Sequence, residues 1–123
     1  MGKYDAFIDA FLQGDTLFQF VYVPDRHELF LEEELEEKDN GRFLYVPFKD
    51  ARDLYLLMGE FSRGKSTAIE EQLFNALSSP SPIEKFEKVV VELSLASEWT
   101  KVKRAFAEEQ IKQWMLHYKL DIE

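Results

Sequence analysis

At 123 residues, 46% of them hydrophobic, the chain is long enough to bury an independent core, and with no cysteine it excludes disulfides, thiolate catalysis and thiolate metal sites. Its 24 acidic side chains against 15 basic ones leave a net charge of -9, which opposes long-range attraction to nucleic acid or an anionic membrane. No apolar run approaches the roughly 20 residues of a membrane span, and Met1-Gly-Lys-Tyr-Asp shows no basic-then-apolar leader pattern, so the expectation is a cytoplasmic protein of one domain.

Tyr4, Phe7, Ile8, Phe11 and Leu12 recur at the spacing of one helix face, and Gly14 is placed to stop that helix in a left-handed conformation. Three β-rich runs follow, at 16–23, 27–31 and 42–46. In the first, Phe18, Phe20 and Tyr22 alternate with Leu17, Gln19, Val21 and Val23. Both faces are apolar, which predicts a central strand. Pro24-Asp25-Arg26 supplies a turn. The second run sets Leu29 and Leu31 against Glu28, Phe30 and Glu32, the pattern of a half-exposed edge strand whose charges discourage edge pairing. Residues 32–38 are expected to form one helical turn. Asp39-Asn40-Gly41 then turns the chain into the third strand, ended by Pro47.

The remainder reads as four helices. Asp50 caps a helix with Leu54, Leu57, Met58 and Phe61 inward. Ser66 or Thr67 caps the next, with Thr67-Ala-Ile-Glu70 matching a capping box and Ile69, Leu73, Ala76 and Leu77 inward. Ser78-Ser-Pro-Ser-Pro82 is the clearest break. Ser81-Pro-Ile-Glu84 then starts a helix on Ile83, Phe86, Val90 and Leu93, which Val89 and Val91 broaden toward burial on more than one side. The last helix runs over 97–118. Its stripe moves around the axis from Trp99, Val102 and Phe106 to Ala107, Ile111, Trp114, Met115 and Tyr118, so it is expected to touch two different partners along its length. The fold class is α+β: an N-terminal helix and a three-stranded antiparallel sheet in residues 1–48, then four packed helices in 49–123 laid on it.

Gly59-Glu-Phe-Ser-Arg-Gly64-Lys65-Ser66 satisfies the phosphate-binding pattern G-x-x-x-x-G-K-[ST] letter for letter. In such a loop, backbone amides cradle phosphates, the lysine reaches the terminal ones and the hydroxyl holds magnesium. The helical period of Leu54, Leu57, Met58 and Phe61 opposes the strand that must precede it. Arg63-Gly64-Lys65 also reads as a basic helix end with a glycine stop. Nucleotide binding through Gly59, Gly64, Lys65 and Ser66 is therefore the alternative reading, and no cofactor is favoured.

The acidic run Glu32-Glu-Glu-Leu-Glu-Glu37 reads first as a solvated face and second as a contact for a basic partner or a metal, with nothing beside it to raise a pKa or orient a substrate for catalysis. His27 and His117 lack metal-ligand spacing. Ser62, Ser66, Ser94 and Ser97 sit near expected helix ends and outside any G-x-S-x-G. Aromatic and basic residues interleave on the last helix, where Trp99, Phe106 and Trp114 share it with Lys101, Lys103, Arg104 and Lys112. That suits a nucleic-acid surface as a third reading, which the net acidity opposes.

From Arg42 onward the chain resembles a numbered family of uncharacterised small bacterial proteins (the UPF series). The resemblance rests on Arg42-Phe-Leu-Tyr-Val46-Pro47, Tyr55-Leu-Leu-Met58 and Phe61, Ala76-Leu77, Phe86 before Val89, and the pair Trp99 and Trp114. Ser78-Ser-Pro-Ser-Pro82 departs from that family's glycine-rich turn, Glu87-Lys88 reverses its basic-acidic order, and Gly59 and Gly64-Lys65-Ser66 are not typical of it. The resemblance implies no reaction, cofactor or substrate.

The leading functional expectation is a non-catalytic interaction or regulatory protein, acting on a protein partner or on a second copy of itself. Its candidate surface comprises Glu28 and Glu32 on the exposed strand and Lys101, Arg104 and Lys112 on the last helix.

Overall fold

The computed structural model describes residues 4–15, 17–35 and 43–120. In order these form α1 (Asp5–Gln13), β1 (Phe20–Val23), β2 (Glu28–Leu31), a 3-10 turn (Glu32–Glu34), β3 (Leu44–Tyr45), α2 (Ala51–Ser62), α3 (Thr67–Leu77), α4 (Pro82–Glu92) and α5 (Ala96–Tyr118). The class is α+β. The chain divides into two compact units, one of residues 1–49 with 104–123, the other Asp50–Lys103.

In the first unit the sheet is antiparallel with order β2-β1-β3, so β1 is central as its two apolar faces require. Phe20 pairs with Leu31 and Val23 with Glu28, while Val21 faces Tyr45 on the other side. Val21, Tyr22 and Val23 are all buried. One sheet face, through Phe20, Tyr22, Leu29 and Val46, shares a core with Phe7, Ile8, Ala10 and Phe11 of α1 and with Ala107, Ile111 and Met115 of α5. Arg104 of α5 reaches Asp9 at 2.8 Å and Asp5 at 3.6 Å on α1.

Gly14 is extended (φ -69°, ψ 154°), not the left-handed stop its position suggested. Its need is for space: a Cβ there would lie 2.9 Å from the Ala10 carbonyl oxygen and 3.0 Å from the Phe48 Cβ. Lys49 closes α1 instead. Its backbone amide donates to the Phe11 carbonyl at 3.0 Å and its ammonium donates to the Leu12 carbonyl. Two acceptors left open at the helix end are thereby satisfied from far along the chain.

The strands are shorter than their apolar patterns. β1 begins at Phe20 rather than at Thr16, which lies outside the described residues, and 17–19 are not strand. Of the expected 42–46, Leu44–Tyr45 form the strand, and the Val46 amide also donates to the Phe20 carbonyl at 2.9 Å. Of the expected turn at 32–38, Glu32–Glu34 forms it as a 3-10 turn, and 36–38 lie outside the described residues, as do the turn residues 39–41 and Arg42.

In the second unit Asp50 caps α2, its carboxylate accepting from the Arg52 amide at 2.7 Å. The N-cap of α3 is Ser66, without a side-chain cap bond, so the capping box expected from Thr67 is not formed. Val91 of α4 is exposed, whereas Phe86 and Val90 are buried and Ile83, Val89 and Leu93 pack half-buried against the same core. Trp99 of α5 centres this core. Its ring lies 5.2 Å from both Phe61 and Phe86, and its indole N–H donates to Glu87 at 3.0 Å. Val102 packs against the same core, whereas Phe106, expected beside it, packs against Phe11 in the other unit's core at 6.0 Å. The shift of the α5 stripe therefore marks a change of core along one helix.

Helix α4 ends in a paired closure, with Leu95 N–H donating to the Val90 carbonyl at 2.8 Å and Ser94 N–H to that of Val91 at 3.1 Å. Ser94 carries φ 60° there, the position glycine normally fills. Ser94→Gly is expected to stabilise the protein by up to about 1 kcal/mol in denaturant unfolding. Gly14→Ala, forced against backbone, is expected to destabilise it by about 1–3 kcal/mol in the same measurement.

Candidate functional site

On the described surface the adjacent apolar side chains Leu17 and Phe18 border a cavity, and a single carboxylate sets their exposure. Asp15 Oδ1 accepts from the backbone amides of Leu17 at 2.8 Å and Phe18 at 2.9 Å, while the Asp15 amide donates to the Phe18 carbonyl at 3.2 Å. A local side-chain acceptor of this kind competes with sheet pairing for the same amides. The strand therefore starts at Phe20, and Leu17 and Phe18 are left 84% and 55% exposed. Together with Gln19, Leu31, Glu32 and Glu33 they line a cavity of about 280 Å³. The lining mixes apolar side chains with the polar and acidic Gln19, Glu32 and Glu33.

The C-terminal end of β2 borders this groove. Glu32 N–H donates to the Gln19 carbonyl at 2.9 Å. Antiparallel pairing alternates, so Glu28 and Phe30 turn their backbone groups toward β1 while Leu29 and Leu31 turn theirs away from it. The Leu31 amide is taken by Glu34 Oε1 at 2.8 Å. The Leu29 N–H and C=O and the Leu31 C=O remain directed outward.

Glu32 also accepts a hydrogen bond from the Tyr45 hydroxyl across the sheet. That bond, with lesser help from desolvation and the Glu32 charge, holds the Tyr45 pKa above 10. Burial raises that of Tyr22, whose hydroxyl lies 3.3 Å from His27 Nδ1. Of the other residues expected at an interaction surface, Glu28 lies at the opposite end of β2 and pairs with Arg26 at 3.8 Å. Arg104 is held by Asp9 and Asp5, and Lys112 by Glu108 at 3.5 Å. Lys101 is exposed on α5. Glu32 alone among them lies in the groove.

The eight-residue glycine-lysine stretch has a different geometry from a phosphate loop. Residues 59–62 belong to α2, so their amides point along the helix toward carbonyls one turn earlier. The Ser62 hydroxyl donates to the Met58 carbonyl at 2.8 Å. Gly64 is left-handed (φ 84°), as a helix-ending glycine is, and a Cβ on Gly59 would meet nothing within 4 Å. Lys65 pairs with Glu98 at 3.2 Å and lies over the Phe61 ring at 4.3 Å.

On α5 the rings that could stack with bases turn inward. Trp99 is buried and Trp114 lies 6.0 Å from Phe7. His117 stands edge-on to Tyr118. Among the described residues no group of three His, Asp or Glu is placed to hold a metal ion, and no helix is long and apolar enough to cross a membrane.

Leu17, Phe18, Gln19 and Leu31 did not figure among the expected site residues because their alternation read as strand, and Glu33 did not because it read as part of a solvated acidic turn. The available signal was Asp15, two residues before the first exposed side chain. No protein-family model, curated protein or solved structure matches the chain.

Tyr45 holds its proton more tightly when folded than when unfolded. Its contribution to stability is complete below the unfolded value near 10 and is lost as pH rises through the higher folded value. Titration of tyrosinate absorbance should show Tyr45→Phe removing a group that ionises above pH 10. Glu32→Gln should shift that same group downward.

Proposed function

We propose that this chain is a non-catalytic interaction or regulatory protein, of the small bacterial kind that its sequence from Arg42 onward resembles. Its docking surface is the groove at the start of β1 and the end of β2. The observation that carries the reading is the exposure of Leu17 and Phe18 together, held out of the sheet by Asp15. Single exposed apolar side chains are ordinary, whereas an adjacent pair bordering a cavity marks a place where a partner gains by covering it. Full burial of each such side chain is worth about 1.5–3 kcal/mol.

Two further features support the reading. The groove carries acidic groups on its rim, which select among partners more than they add affinity. It also lies at the end of the strand edge that presents the Leu29 N–H and the Leu29 and Leu31 carbonyls, groups through which one chain can recognise another's backbone. The competing nucleotide reading places the contact at Lys65 instead. A nucleic-acid reading places it on α5, where Arg104 and Lys112 are already paired with carboxylates.

Affinity capture from cells that express the protein decides among these. Leu17→Ser/Phe18→Ser should lower recovery of a reproducible partner by at least about tenfold, a loss of ~1.4 kcal/mol, with unchanged thermal unfolding. Equal recovery by the wild type and this variant, or loss on Lys65→Ala instead, would overturn the reading.

A further inference from the structure

We infer that the occupant of this groove is an extended peptide segment that alternates large apolar side chains with Lys or Arg and adds to the outer edge of β2. The inference rests on the interaction reading above and specifies the partner's chemistry. β2 reads Glu28-Leu29-Phe30-Leu31, followed by Glu32. Leu29 and Leu31 oppose Tyr22 and Phe20 on the core face, while Glu28, Phe30 and Glu32 lie on the other, where Arg26 covers Phe30 and pairs with Glu28, so that Glu32 at the groove end is the carboxylate that Arg26 does not pair. A strand laid beside β2 shares that alternation, so its side chains face leucines on one side and Phe30 and the Glu32 carboxylate at the groove end on the other.

Its backbone meets the Leu29 N–H and C=O and the Leu31 C=O, the groups β2 directs away from β1. Its apolar residues near Leu31 extend over Leu17 and Phe18. Its basic residues meet Glu32 and Glu33, whose charges would otherwise lose water without compensation. An acidic partner would meet like charge in a protein already at -9.

A second copy of this chain fits poorly at the same edge. Pairing β2 with β2 would bring two acidic rims together. The Glu34 carboxylate on the Leu31 amide also removes one donor from a self-complementary ladder. The chosen partner supplies the opposite charge and needs only the groups left open.

Fluorescence anisotropy with three synthetic peptides of equal length tests the inference on the full chain. One alternates Lys with Leu, one Glu with Leu, and one Lys with Ser. The Lys–Leu peptide is expected to bind, with affinity falling as salt is raised, and the other two at least about tenfold more weakly. Glu33→Lys should weaken it about tenfold, and Glu32→Lys likewise, whereas Glu71→Lys on α3, equal in charge change, should leave it within about twofold. Backbone N-methylation at alternate positions of the peptide should abolish binding in one parity and spare it in the other. Equal binding of the Glu–Leu peptide, equal effects of Glu71→Lys and Glu33→Lys, or methylation effects independent of parity would overturn it. Partner capture that depends on Leu17 and Phe18 beside failure of the Lys–Leu peptide would sink this inference and leave the docking surface standing. Concentration-dependent dimerisation abolished by Leu17→Ser/Phe18→Ser would replace the peptide with a second copy.

Discussion

The hydrogen bonds from the Asp15 carboxylate to the Leu17 and Phe18 amides decide the shape of the candidate site. Without that acceptor, residues 17–19 carry the alternation to continue β1, with Phe18 on the face of Phe20 and Tyr22. With it, the amides are satisfied locally and the ladder ends at the pair of Gln19 and Glu32. Two apolar side chains then stand outside the sheet beside the last residues of β2. A short polar side chain thus exposes hydrophobic surface.

The helical half of the chain was legible because several signals coincided. Leu54, Met58 and Phe61 repeat at helical spacing behind an Asp50 cap, and the structure buries all three. The turning stripe on α5 announced two sets of neighbours. Trp99 and Val102 lie in one core, and Ala107, Ile111 and Met115 in the other. The central position of β1 followed from its two apolar faces. These features depend on period and composition, which a sequence displays directly.

What escaped the sequence depends on which of two local bonds wins, or on residues far apart in the chain. Asp15 outcompeted the sheet for two amides. Gly14 is needed because Phe48 packs against it, and α1 is closed by Lys49, neither of which has a local signature. Ser94 takes a left-handed helix-ending position without being glycine, because two backbone bonds and the packing of Leu93 and Leu95 hold it there. The match from Gly59 to Ser66 shows the reverse case. Every letter of a phosphate-loop pattern is present, yet the amides that such a loop must free are spent inside α2.

The central claim is that this protein acts by docking a partner chain at the head of its sheet. The most direct measurement is amide chemical-shift mapping of the labelled protein titrated with the partner it captures from cells, or with that partner's binding segment. The account predicts perturbations concentrated at residues 17–19 and 28–34, with little change at 59–66. Perturbations centred on 59–66, or on Lys101, Lys103 and Arg104 of α5, would contradict it.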